Sequence, residues 1–383
     1  MTIVQRSLAR KRVCHISSVH SGVEIRIVRK QLATLAQAGY DAHLVIPASE
    51  QEAAEIRAMG ISITPLPRGK STGHLARMLA RGAMATRLAR RTQADIYHFH
   101  DPELIPYGLA LKAMGNRVVM DVHEDFAGMI LHKEWIPGGI RTLVSRLTRR
   151  VELFSAARFD AVVSAVPFLD GIFKPHARRS AVVGNFPFVD ELANSQIDAP
   201  WGSRQKIAYI GAVSKIRGVF ELVRALPQLN VQLQLAGRFV HPPERTELIQ
   251  EPGWNLVEEL GFVGRSQIRD VLASSFAGLC TLYPTPFHVI AEPIKMFEYM
   301  AAGIPVISSN IPYYEQIVNQ ADCGICVDPT DAQQVAQAIA YLRDHPSEAQ
   351  RMGSNGRRAV LDRYNWAYEG RKLVRLYREL LAN

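Results

Sequence analysis

The chain has 383 residues, 48% hydrophobic and 21% charged, a balance that excludes disordered and collagen-like classes and, at roughly 100–200 residues per domain, predicts about two domains. Its formal net charge of +9 is uneven: residues 1–189 carry 26 Lys+Arg against 15 Asp+Glu, and the rest carries 19 against 21. Four cysteines make no disulfide framework, the basic start Met1–Arg12 lacks a signal peptide's apolar core, and no run reaches the roughly 18 apolar residues of a membrane span, so a reducing, cytoplasmic location is expected.

Val13–Ser17 reads as a buried strand, followed by a turn at Gly22, a helix over Arg26–Gln37 and a strand over His43–Ile46, the βαβ opening of a parallel sheet. The alternation continues with a helix near Leu75–Arg90, a strand Ile96–His100, a helix Ile105–Met114 and a strand Arg117–Val122. Helices across Ile140–Ala157, a strand Ala161–Ser164 and a short strand Ala181–Val183 complete a doubly wound unit over 1–188. The stretch 189–205, with Pro200, Gly202 and no periodicity, reads as a linker.

The pattern then restarts. Strands are expected over Lys206–Ile210, Val231–Leu235, Val257–Phe262, Gly278–Leu282 and Val306–Ser308, and helices over Gly218–Leu226, Gln267–Ser274, Ile294–Ala302 and Asp331–Leu342. Residues 206–365 thus form a second unit, and a helix within 366–383 comes too late to extend its sheet and should pack back on the first. The fold class is α/β, two Rossmann-like doubly wound domains whose strand ends face one cleft.

Within the basic first half, Arg68–Arg91 holds Arg68, Lys70, Arg77, Arg81, Arg87, Arg90 and Arg91 with no acid, and a second stretch holds Arg141, Arg146, Arg149 and Arg150. Helical spacing with interleaved apolar residues gives a cationic face over an apolar one, suited to solvent, to an anionic membrane or to a phosphate-rich acceptor. Aromatic interleaving and zinc-finger or RNP-like patterns are missing, so nucleic acid is not an expected partner.

Two segments carry chemistry. In Tyr209–Leu222, Gly211 makes a turn after a strand, Lys215 and Arg217 occupy the loop and Gly218 opens a helix, a combination suited to a diphosphate. In Pro293–Ile307, Lys295 and Glu298 share a helix face, either as an intrahelical ion pair or as a phosphate-neutralising cation beside a ribose-binding carboxylate. Cys323 and Cys326 form an isolated C-x-x-C in a strand-like context and are read as structural, so no metal site is expected.

Taken with SSVHSGVEIRIVRKQLATLAQAGY at 17–40, YHFHDPELIPYGLAL at 97–111, VVMDVHEDF at 118–126, YIGAVSKIRG at 209–218 and KMFEYMAAGIPVISSN at 295–310, these residues resemble the retaining GT-B glycosyltransferases of family 4. The resemblance implies transfer from a UDP- or GDP-sugar held by the second unit to a saccharide or lipid-linked saccharide held by the first, in bacterial surface or exopolysaccharide synthesis. It implies no cofactor or metal, and the basic first half adds to the cytoplasmic expectation a peripheral place at the inner membrane face. It assigns ribose binding to Glu298 and the diphosphate to Arg217 and Lys295, with Gly22 and Gly211 giving backbone access to the donor. The catalytic set is His123, Arg217 and Lys295; Glu124 or Asp125 orients the acceptor hydroxyl, with His100 and Asp101 as further acceptor contacts.

Two departures stand out. Ile290 occupies the place of the family's first glutamate, leaving Glu292 or backbone near His288 to contact the sugar, and Ala212 replaces a phosphate-binding arginine for which Lys215 is expected to substitute. These departures leave open a non-catalytic nucleotide-sugar-binding partner protein, and the fold leaves open a nucleotide-sugar 2-epimerase.

Overall fold

The computed structural model describes residues 10–22, 24–67, 74–133, 135–189, 191 and 201–382, with 74–78 and 203 by backbone alone. Residues 1–9, Arg68, Lys70 and most of the 189–205 linker lie outside the described residues. Internal contacts divide the chain into Met1–Asn185 with Glu369–Asn383, and Phe186–Tyr368.

The first unit holds strands β1 (Arg12–Ile16), β2 (Asp41–Pro47), β3 (Ser62–Leu66), β4 (Ile96–Phe99), β5 (Arg117–Val122), β6 (Ala161–Ser164) and β7 (Ser180–Val182). They form one sheet in the order β3-β2-β1-β4-β5-β6-β7, each pair parallel. Every residue of β4 and β6 is buried, which accounts for their near-continuous apolar runs between covering helices. Strand β3 and the preceding helix Glu50–Ala58 escape the sequence reading: SITPL contains a proline and, as an edge strand, needs no continuous apolar run.

The second unit repeats the plan with β8 (Lys206–Ile210), β9 (Gln232–Ala236), β10 (Val257–Gly261), β11 (Ser275–Cys280), β12 (Val306–Ser309) and β13 (Gly324–Val327), parallel in the order β10-β9-β8-β11-β12-β13. In both sheets the direction of winding reverses between neighbours, at β1/β4 and at β8/β11. The crevice outside the carboxyl ends at such a reversal is where open α/β sheets bind ligands.

The helix expected over Arg26–Gln37 is wound in two ways: Ile25–Leu32 has wide π-type turns and Ala33–Gln37 is α. The wider turns bring residues five apart into line, so Arg26 and Gln31 both reach Asp121 at the end of β5. Among the described residues, no helix is long and apolar enough to cross a membrane.

Candidate functional site

In the second unit the turn after β8 rests on Gly211, whose φ of 112° strains any side chain. Lys295, in the first turn of the helix Ile294–Ala302, packs against it: a Cβ at Gly211 would lie 3.6 Å from Lys295 Cε and 3.8 Å from Nζ. The ammonium stands 3.6 Å from the Tyr209 ring centroid and is buried without a hydrogen-bond partner among the described residues. Burial pulls its pKa down to about 7; Cys280 and Glu298 oppose the shift and Arg217 adds to it. Tyr299 fixes this helix, its hydroxyl accepting from Ile210 N–H at 3.0 Å and donating to the Leu279 carbonyl at 3.1 Å, while its ring fills the place of a side chain on Gly278.

Arg217 ends the short turn Lys215–Arg217 and is followed by Gly218 at φ 71°, where a Cβ would collide with the Thr281 carbonyl oxygen. His288 donates from Nδ1 to the Tyr283 carbonyl at 2.8 Å, which leaves Nε2 as an acceptor. Burial lowers the His288 pKa against that hydrogen bond, and Arg217 and Lys295 lower it further, so the three share one electrostatic neighbourhood. Glu298 accepts from Arg265 at 2.6 Å. Lys215 is exposed with its ammonium 5.4 Å from the Phe220 ring centroid, and Glu292 faces Tyr313.

In the first unit a cavity of about 300 Å³ opens at the ends of β1, β4 and β5, lined by His20, Asp101, His123, Glu124 and Glu152 among others. At its floor Asp121 is fully buried; burial alone would raise its pKa, but the Arg26 charge and the two histidines His123 and His100 hold it well below the usual carboxylate range. Arg26 donates to Oδ1 at 2.9 Å and Gln31 to Oδ2 at 2.6 Å. His100 Nδ1 and His123 Nε2 each lie 3.1 Å from Oδ2 and 3.3 Å from one another. Behind them, His100 Nε2 is 2.9 Å from His15 Nδ1, His15 Nε2 is 2.9 Å from the Tyr377 hydroxyl, and that hydroxyl is 2.7 Å from His98 Nδ1.

Residues 193–359 match the family described as Glycosyl transferases group 1, and residues 21–170 match the Glycosyl transferase 4-like domain. The chain belongs to the group 1, family 4 glycosyltransferases. It is 26% identical over 388 residues to the phosphatidyl-myo-inositol mannosyltransferase of Mycolicibacterium smegmatis, covering 95% of this chain and 92% of that one. Its fold is similar to that of sucrose-phosphate synthase from Thermosynechococcus elongatus, with a TM-score of 0.73 at 19% identity, covering 97% of this chain and 100% of the other. It is likewise similar to Anabaena Alr3699/HepE in complex with UDP, with a TM-score of 0.73 at 15% identity over the same shares of the two chains.

Of the residues singled out in this glycosyltransferase's sequence, the fold brings Gly211, Arg217 and Lys295 together and places Glu298 on the same helix, paired with Arg265. His123 and Glu124 line the first-unit cavity. Asp125 is otherwise engaged: it caps the helix Phe126–Ile130 by accepting from Gly128 N–H at 2.9 Å and pairs with Arg149. Asp101 accepts from the Ser18 N–H at 2.5 Å and holds the loop after β1. The need for glycine at 22 is met by packing, since a Cβ there would lie 3.0 Å from that of Ala48 and 3.2 Å from that of Glu52.

Sequence reasoning missed three features. Glu152 lines the cavity with a pKa raised to about 7, burial outweighing Arg149 while Asp125 adds to the rise, and a lone glutamate in a basic helix gave no sign of this. The His288 side chain went unread behind its backbone. His15 and His98 sit opposite one another on adjacent strands, with His100 on the same face as His98; an alternation of histidines in an otherwise apolar strand was the available signal.

Proposed function

We propose that this glycosyltransferase moves a sugar from a nucleotide diphosphate sugar, with retention of configuration, to a saccharide or lipid-linked saccharide. The observation that carries the reading is Lys295: a buried ammonium with no hydrogen-bond partner among the described residues, against a glycine turn at a sheet switch point, calls for an anion. A diphosphate would supply it, with Arg217 as a second cation, and the UDP bound in the structurally similar Anabaena protein supports a nucleotide as its carrier. In this proposal no cation is needed on the diphosphate: charge building on the leaving phosphate is met by Lys295, Arg217 and the amide groups of the first helical turn. Glu298 takes the ribose after exchanging Arg265 for the two hydroxyls, and His123 acts from the first-unit cavity. The acceptor hydroxyl is oriented in the first-unit cavity, with Glu124 at its rim.

Calorimetry with UDP- and GDP-sugars in EDTA tests the donor half: one nucleotide family should bind the wild type and bind Lys295→Ala at least tenfold more weakly, and no binding by any nucleotide sugar would overturn the reading. The anomeric configuration of the product, read by NMR, decides retention.

A lipid-linked acceptor and a peripheral place on an anionic membrane form part of the same proposal. Along the helix Gly138–Ala156, Ile140, Leu143, Leu147, Val151 and Phe154 are each 47–58% exposed at helical spacing, with Arg146 and Arg150 exposed beside them. The cationic face expected from sequence thus lies beside an apolar stripe that is also open to solvent, the pattern of a helix lying in a lipid headgroup layer. Leu143→Glu with Leu147→Glu should abolish sedimentation with phosphatidylglycerol vesicles at low salt; unchanged sedimentation would remove the membrane from the proposal.

A further inference from the structure

Asp121 Oδ2, His100 Nδ1 and His123 Nε2 form a nearly equilateral triangle with edges of 3.1, 3.1 and 3.3 Å. Three ligands at roughly 2.0–2.1 Å from a tetrahedral Zn²⁺ lie about 3.3 Å apart, so the triangle has the size of one face of such a site. As hydrogen bonds the same contacts are overcrowded. Gln31 at 2.6 Å, both histidines at 3.1 Å and Arg26 Nε at 3.4 Å all converge on one carboxylate oxygen that has two lone pairs.

The histidines behind the triangle supply a second, independent observation. If neutral His100 donates from Nδ1 to Asp121, its Nε2 must accept from His15, His15 must accept from Tyr377, and Tyr377 must accept from His98. His98 Nε2 is then a bare lone pair, buried without a partner among the described residues and 3.8 Å from the Asp121 carboxylate. If His100 Nδ1 instead gives its lone pair to a metal, the whole chain reverses. His100 donates to His15, His15 to Tyr377 and Tyr377 to His98, and His98 Nε2 becomes an N–H directed toward Asp121. The otherwise orphaned atom acquires the correct polarity, and the Tyr377 relay sets the tautomer of the ligand, the usual duty of a partner behind a metal-bound histidine. Arg26 meanwhile anchors Oδ1, and Gln31 occupies the second lone pair of Oδ2.

We propose that His100, Asp121 and His123 bind one divalent transition-metal ion, Zn²⁺ by the character of its two imidazoles and one carboxylate, with the fourth position open to an oxygen ligand in the cavity. This revises the expectation of a chain without a metal site. It makes His100 and His123 ligands of the ion, so that they meet an acceptor through its open position and not as free imidazoles; it uses first-unit residues alone and leaves the diphosphate reading untouched.

The test is calorimetric titration of EDTA-treated, dialysed full-length protein with ZnCl₂, paralleled by the visible absorption of CoCl₂ titrations. Saturable binding of one ion per chain is expected, weakened at least tenfold in His123→Ala and by roughly ten- to a hundredfold in Tyr377→Phe, which touches no ligand atom. His345→Ala, at an exposed histidine of the second unit, should bind as the wild type does. Circular dichroism confirms that the variants are folded. Absence of stoichiometric binding, or affinity unchanged by His123→Ala, overturns the site; affinity unchanged by Tyr377→Phe overturns the relay. Nucleotide-sugar binding by a chain that fails to hold Zn²⁺ refutes this proposal alone.

Discussion

The depressed pKa of Lys295 predicts a specific pH dependence of donor binding. In the free protein the ammonium loses its proton at about 7, whereas a diphosphate against it favours the charged form and returns the pKa toward the ordinary 10.5. Binding above pH 7 must therefore take up a proton. At pH 9 only about 1% of free protein carries the charge, so affinity should be about 50-fold weaker than at pH 7, about 2.3 kcal/mol. Three neighbouring groups do not titrate in this interval: Cys280 is pushed up to about 11, Tyr209 is raised further and His288 is lowered. The assay is calorimetry with a UDP- or GDP-sugar, whose diphosphate has no proton to lose between pH 7 and 9, in buffers of different ionisation enthalpy. Close to one proton should be absorbed per ligand at pH 9 and about half at pH 7, and Lys295→Met should abolish both the uptake and the slope. Affinity flat from pH 7 to 9 with no proton uptake would refute the reasoning.

The same group lowers stability in the absence of ligand. Because the folded pKa lies below the unfolded one, the unfolded chain binds more protons between pH 7 and 10.5, and this residue's contribution improves as pH rises through that window. Lys295→Met should thus stabilise the apo protein at pH 7 by no more than about 4 kcal/mol, with a gain that shrinks toward pH 10, read as a rise in Tm; a fall in Tm would contradict the burial argument. Gly218→Ala meets both a left-handed φ of 71° and the Thr281 carbonyl and should destabilise by roughly 3 kcal/mol or more in urea titration, whereas Gly22→Ala, squeezed only by side-chain carbons, should cost about 1–2 kcal/mol. Asp125→Ala, losing a cap and the Arg149 pair, should cost about 1–3 kcal/mol, while exposed Glu124→Ala should change stability by under about 0.5 kcal/mol and lower turnover with acceptor.

Much of this fold can be read without coordinates because buried parallel strands declare themselves: β4, β6, β8 and β11 are short apolar runs bounded by glycine, proline or polar turns. The edge strand β3 and the π-wound turns at Ile25–Leu32 do not, since one is half-buried with a proline and the other depends on polar partners distant in sequence. The same division runs through the site. Gly211, Lys295 and Glu298 were legible because a turn glycine and a helix-face pair are local patterns. Arg265 on Glu298 and Arg149 on Asp125 are separated from their partners by 33 and 24 residues, and no spacing rule reports them. In the sequence Asp121 is one residue of the expected strand Arg117–Val122. Its hold on Arg26, Gln31 and three histidines emerges once β1, β4 and β5 lie side by side.

The bond from Tyr377 to His15 closes a loop of 362 residues. Tyr377 belongs to a helix, Trp366–Ala382, whose residues from Glu369 onward group with the first unit, where Glu369 also accepts from Gly184 N–H at 2.8 Å. During synthesis, then, the first unit waits for its last helix while all of Phe186–Tyr368 is made, and the histidines of β1 and β4 have no hydroxyl to settle their tautomers until that helix arrives. Vectorial folding favours the second unit as the first to be completed, because its contacts close within its own continuous stretch of chain. The metal triangle and the cavity it floors acquire their final order only at the end of assembly.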